Sequence, residues 1–260
     1  MNVELKTITP AIARAMLTKN TKNRPVNRKH VSHLADQIRK GLWKVNGDTI
    51  CMNCNRLIDG QKRLMAVVEA DMPITTLVVD GINDDVFDTK DIGQRRSQGD
   101  TLACEGQSNA KELAACLGYI ERYYTGQSME RKSFSNTEVL ILLAKYPSAA
   151  DSIKKCHNKK RIISKSVLAA CHYLFYLADW KKADSFIERL ISGQGLTEGM
   201  PLYLLRERLL RNALSKAKLS NSYLMALVIK AWNHEHHGRP MKYLRFREDG
   251  DSPESFPVVH

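Results

Sequence analysis

The chain has 260 residues, of which 43% are hydrophobic and 26% charged, ordinary globular material for one large domain or for two of the usual size. Its 40 Lys and Arg against 28 Asp and Glu leave a formal charge of +12, more than solubility needs, and such an excess favours polyanionic partners such as nucleic acid. No apolar stretch approaches the roughly 18 residues of a membrane span, and the first residues lack the basic start and apolar run of a signal peptide, so a cytosolic protein with no membrane partner and six reduced cysteines is expected.

In chain order, residues 3–8 alternate as a short strand does, and Thr9-Pro10 then supplies an N-cap and an N1 proline for a helix over 11–19. Residues 27–41 predict a second helix. Asn27 caps it, Val31, Leu34, Ala35 and Ile38 share one face, and Gly41 ends it. Two β-compatible runs, 49–52 and 56–59, flank Asn53-Cys54-Asn55 as the arms of a tight hairpin. Asp59-Gly60 turns the chain into a helix over 61–70 with Leu64, Val67 and Val68 on its apolar face, and residues 74–79 read as a buried strand. From about Gln98 the strand signals stop. Helices are expected near 108–124, 135–145, 147–157, 163–178, 181–191, 201–217 and 221–235. The organisation is therefore α+β, a small α/β domain over 1–97 and an all-α helical domain over 98–260. The basic excess is not confined to a tail, since the first hundred residues hold 16 basic against 12 acidic side chains and the rest 24 against 16.

The turn Asp59-Gly60-Gln61-Lys62-Arg63 carries the chemistry of most interest. A strand that runs through Asp-Gly straight into a helix leaves the first helical amides unpaired, and those donors, with the positive end of the helix dipole, suit a phosphate. Lys62 and Arg63 add charge and a planar fork of donors. Asp59 repels phosphate unless a cation intervenes, so it is expected to cap the helix, pair with a cation or hold magnesium. Taken alone, five residues carry little weight, and an ordinary helix start with a solvated basic face accounts for them.

A longer pattern surrounds the turn. Asn23-Arg24-Pro25, then Val31, Leu34, Ala35, Ile38 and Gly41, then Leu57-Ile58-Asp59-Gly60-Gln61-Lys62-Arg63-Leu64 with Ala66, and finally Pro73-Ile74 with Leu77-Val78-Val79 resemble the N-terminal nucleotide-binding domain of the ParB/sulfiredoxin superfamily. The turn is closer still to the Asp-Gly-Gln-His-Arg form of phage and mobile-element relatives. This resemblance implies a ParB-like fold over about sixty residues, a nucleoside triphosphate (ATP or CTP) with magnesium as an optional companion, phosphates held by Gly60, Gln61, Lys62 and Arg63, and action on or with DNA in the cytoplasm of a bacterium or phage-infected host. A homo-oligomer is compatible with it. From their positions alone, Arg24 and Arg95 either assist at the phosphates or are a surface arginine and a linker charge. Two departures limit what carries over. Gln61 replaces the ParB turn glutamate, and no Glu-Asn-x-x-Arg segment follows, so CTP hydrolysis and clamp closure are not implied. Gln61 also stands where sulfiredoxins have their catalytic cysteine, and glutamine cannot serve as that nucleophile.

The rival class is an enzyme, a phosphotransferase, NTPase or nuclease, with Asp59 as the catalytic carboxylate and Asp48 and Asp91 nearby. Asp91-Ile92-Gly93-Gln94-Arg95-Arg96 either closes over a nucleotide or is a linker with ordinary charges. Three further clusters are set aside. Cys51-Met52-Asn53-Cys54 has zinc-knuckle spacing but lacks a second ligand pair, with only Cys156-His157 and Cys171-His172 at a distance. His234-Glu235-His236-His237 lacks the i, i+4 spacing of a helical two-histidine site. Helices near 136–145 and 164–174 are too far apart for a helix-turn-helix. Residues 239–247 interleave basic and aromatic side chains, fit either for base stacking or for packing Leu244 and Phe246 on the helical domain.

Overall fold

The computed structural model describes residues 1–21, 23, 25–54, 56–82, 96–126, 134–156, 162–248 and 252–260. The chain divides into two compact units, Met1–Gln94 and Arg95–His260, and its class is α+β.

Unit 1 runs β1 (Asn2–Ile8), α1 (Pro10–Leu17), α2 (Arg28–Arg39), β2 (Thr49–Asn53), β3 (Arg56–Asp59), α3 (Gln61–Ala70) and β4 (Ile74–Asp80). Local chemistry accounts for the helix ends. The amide of Ile12 donates to Thr9 Oγ1 at 3.3 Å, and that of His30 to Asn27 Oδ1 at 3.2 Å. At the far end of α2, Gly41 takes φ 67°, which lets its amide reach the Ile38 carbonyl and the Leu42 amide the Gln37 carbonyl, the paired closure of a Schellman motif.

The four strands lie in the order β1-β4-β2-β3. β1 pairs antiparallel to β4, β2 antiparallel to β3, and β2 parallel to β4. The parallel pair needs a crossover, and α3 provides it. Strand alternation sends Ile8, Ile50, Leu57 and Ile74 to the helices, where they meet Val31, Ala35 and Ile38 of α2 and Leu64 and Val67 of α3. Cys51, Ile58 and Val79 form a smaller cluster with Ile82. The chain leaving α1 runs along β3: the Leu57 amide donates to the Lys19 carbonyl at 3.0 Å, and Asn23 Nδ2 donates to the Leu57 carbonyl at 2.9 Å. Those bonds cover a strand edge that would otherwise expose unpaired peptide groups.

Unit 2 contains α4 (Gln98–Cys104), α5 (Ala110–Thr125), α6 (Asn136–Lys145), α7 (Ala149–Lys155), α8 (Lys165–Ala178), α9 (Trp180–Ser192), α10 (Pro201–Leu214) and α11 (Asn221–His236). The helix α4 was not foreseen. It is short and its start is set by a capping box, in which Ser97 Oγ accepts from the Asp100 amide while Asp100 accepts from the Ser97 amide at 2.8 Å. Ser97, placed with the first domain by composition, therefore belongs with this helix. α8 is apolar all round because it is the central helix, buried from Ser166 to Phe175 against α5, α7, α9 and α11. Cys116 and Cys171, expected as core residues, are fully buried there with Cys156. Burial pushes all three thiols up, Cys156 to about 12, so they are inert packing groups.

Polar side chains also cross this core. His172 Nε2 donates to Asp184 Oδ1 at 2.9 Å, since a carboxylate only accepts, and neutral His172 Nδ1 then accepts the hydroxyl of buried Ser152 at 2.9 Å. Asp184 Oδ2 receives Lys155 Nζ at 2.6 Å, so α7, α8 and α9 are tied through one imidazole. Desolvation outweighs Asp184 and holds His172 below its usual value of 6.5. The unfolded chain consequently binds this proton first as pH falls. The contribution is complete above about 6.5 and is lost on acidification toward and through the lowered folded value. Urea midpoints measured from pH 8 to pH 5 should fall on the acid side, and the fall should be shallower in His172→Asn. An identical slope in both would show that other groups set the acid sensitivity.

Candidate functional site: the turn into α3

The turn between β3 and α3 is held by backbone geometry and by one arginine. Gly60, the N-cap residue of α3, has φ 102° and ψ 3°, and a Cβ there would lie 3.0 Å from Ile50 Cγ1, so both torsion and space demand glycine. Asp59 Oδ1 accepts the Gly60 amide at 2.6 Å. Asp59 Oδ2 accepts Arg63 Nη2 at 3.0 Å, and the same Nη2 donates to the Thr49 carbonyl at 2.6 Å. Arg63 Nη1 lies 3.3 Å from Asp48 Oδ2. The Arg63 side chain is only 16% exposed, and its guanidinium sits between two carboxylates and a strand carbonyl.

Arg63 was expected to contact phosphate; here Nη2 is hydrogen-bonded to Asp59 and the Thr49 carbonyl and Nη1 is paired with Asp48, which ties α3 to β2 and β3. The i, i+4 spacing of Asp59 and Arg63 on either side of a helix start makes their pairing possible. Of the roles foreseen for Asp59, the structure has it pairing with a cation, Arg63; it does not cap α3, whose N-cap is Gly60 with no side-chain cap bond, and its other oxygen accepts the Gly60 amide. Both carboxylate oxygens are therefore engaged in the turn. The Thr49 carbonyl has no signal in the sequence, because every residue carries such a group and only the fold selects one.

The opposite end of the turn is open in its hydrogen bonding. Among the described residues, no acceptor pairs with the amides of Gln61, Lys62 or Arg63, and the Lys62 and Gln61 side chains have neither hydrogen-bond nor ion-pair partners. Gly60 has no side chain to cap the helix. Three convergent N–H donors at the positive end of a helix, next to an uncommitted ammonium, are complementary to an anion. Arg24, Arg95 and Asp91 lie outside the described residues.

Compared with protein-family models, curated proteins and solved structures, the chain has no match.

The clusters set aside on sequence grounds have structural explanations. No group of three metal-ligating side chains occurs among the described residues, and His157 lies outside them. His236 stacks on Trp232, His237 Nδ1 donates to the Asn233 carbonyl at 2.8 Å, and Glu235 pairs with Arg189 at 2.8 Å. α6 and α8 are separated by α7 and are not consecutive helices of a DNA-reading pair. In the 239–247 segment Met241 and Phe246 are buried and Leu244 packs on the helical core, so packing wins over a stacking platform, although Tyr243 stays exposed. An open cleft of about 530 Å³ in unit 2 is lined by Lys230, His234, His237 and Arg239 among others, and no residue of the α3 turn contributes to it. No helix among the described residues is long and apolar enough to cross a membrane.

Proposed function

We propose that unit 1 binds the phosphates of a nucleotide at the N-terminus of α3, and that the protein acts on or with DNA as a ParB-like module of phage or mobile-element type. The observation that carries the reading is the set of amides at Gln61, Lys62 and Arg63 beside the Lys62 ammonium, none of which has a partner among the described residues. The resemblance of residues 23–79 to the ParB/sulfiredoxin pattern supports it, as does the excess of basic residues. In this reading Gly60 admits the phosphate close to the backbone, the amides and Lys62 contact its oxygens, Gln61 lines the approach, and Arg63 holds the turn in shape.

Calorimetry on the full chain with ATP, CTP and tripolyphosphate tests it. Lys62→Ala should weaken binding by about tenfold, the value of one charge-assisted contact, with the thermal midpoint unchanged, while Lys62→Arg should restore part of the loss. Absence of binding in the unaltered protein, or an affinity indifferent to Lys62, rejects the site. Turnover of labelled nucleotide with magnesium, lost in a folded Asp59→Asn variant, would move the protein to the enzyme class.

A further inference from the structure

We infer that β1 is a self-complementary docking edge that pairs with β1 of a second copy of this chain, joining two four-stranded sheets into one. Among the described residues β1 is the terminal strand of its sheet, with β4 as its one strand partner. Residues 1–7 are exposed, with Val3 at 55% and Leu5 at 58%. In a strand each residue points its N–H and C=O to one side, alternately, so half the peptide groups of β1 face outward from the sheet. The strand has no proline, and among the described residues no segment covers it as the chain after α1 covers β3. Proteins blunt such edges when they are to stay single. Here the edge is long, regular and apolar on one face.

The side chains select the partner and the register. In the pairing with β4, Val3, Leu5 and Thr7 stand opposite Val79, Leu77 and Thr75, so they lie on one face of the sheet, and Glu4 and Lys6 lie on the other. An antiparallel two-fold pairing centred on Leu5 sets Leu5 against its copy, Val3 against Thr7, and Glu4 against Lys6 on both sides of the axis. Each protomer then contributes one carboxylate and one ammonium to two identical cross-strand pairs. Sliding the register by two residues one way puts Glu4 against Glu4, and the other way Lys6 against Lys6. A slide of one residue either way sets a charge opposite Leu5. One register alone satisfies both charges and keeps the apolar face continuous. A free peptide strand of unrelated sequence would lack this reciprocity, which is why a second copy is the occupant the edge fits.

Sedimentation velocity of the full chain over a range of concentrations tests the inference. The unaltered protein should show a concentration-dependent dimer. Glu4→Lys or Lys6→Glu alone places like charges opposite one another twice and should raise the dimer dissociation constant by about tenfold or more. Mixing the Glu4→Lys and Lys6→Glu proteins should restore assembly as a heterodimer, and the double variant should dimerise by itself. Mixing separates the interface from misfolding, because two damaged chains do not complement one another. A monomer at every concentration, or a dimer that ignores these changes, overturns the inference. Loss of nucleotide binding with intact dimerisation would reject only the α3 site.

Discussion

Arg63→Ala is expected to destabilise unit 1 by about 2–3 kcal/mol, through loss of charged hydrogen bonds at a partly buried site. The change removes the donor to the Thr49 carbonyl and leaves the Asp48 and Asp59 carboxylates facing each other without their shared cation. The larger share comes from Asp59 and the carbonyl. Asp48 is 63% exposed, and water and salt screen its contact with the guanidinium. Arg63→Lys should recover only part of the loss, because one ammonium cannot span two carboxylates and a carbonyl as a planar guanidinium does. Neutralising the acids together with the arginine, as in Asp48→Asn, Asp59→Asn and Arg63→Met combined, should be less harmful than Arg63→Ala alone. Hydrogen exchange monitored by mass spectrometry should show faster exchange over residues 49–70 and unchanged protection in α8 and α11. Unaltered stability in Arg63→Ala would mean that the guanidinium is not holding the turn and is available to a ligand, the role assigned to it from sequence.

Trp232→Ala is the most damaging single change expected, at about 3–5 kcal/mol for deleting a buried indole. Its ring lies 4.3 Å from that of Phe175 at an interplanar angle of 6°, and Phe186 meets both rings edge-on. The residue is 1% exposed, so truncation would open a void among three helices. The indole Nε1 also donates to the His260 carbonyl at 3.1 Å, one of several bonds that strap residues 258–260 across α11 and α5. Neighbouring Asn233 receives the His260 amide at 3.0 Å and donates to the Val258 carbonyl at 2.7 Å, while Tyr123 accepts the Val259 amide at 2.8 Å. Trp232→Phe keeps a ring against Phe175 and loses the strap donor, so it should cost less overall but still loosen the last residues. Denaturant titration followed by circular dichroism gives the stability, and exchange at 258–260 reads the strap. A loss below about 1 kcal/mol for the alanine variant would place it among ordinary surface substitutions and contradict the central packing role.

The two charged networks show where sequence reading reaches its limit. Asp59 and Arg63 are four residues apart at a helix start, so their pairing is a local event. His172, Ser152, Asp184 and Lys155 are spread over three helices, and from sequence His172 was considered only as a remote metal ligand. Nothing about a histidine in an apolar run says whether it will face a serine, a carboxylate or a metal. That depends on which helices become neighbours.

From the amino-acid order alone came each strand and helix among the described residues of unit 1 and most of those in unit 2, because caps, glycine stops, alternation and helical periodicity act within a few residues. It also located the β3–α3 turn and the glycine that the turn requires. Tertiary structure alone decided the sheet order, which leaves β1 at an edge, and the approach of Asp48 and the Thr49 carbonyl to Arg63. Only the fold revealed the C-terminal strap, and it chose between the two readings of Phe246 by burying it. The physical reason is range. Backbone torsion and capping are set by adjacent residues, whereas the partner of a charge or an aromatic ring is chosen by the packing of segments far apart in the chain.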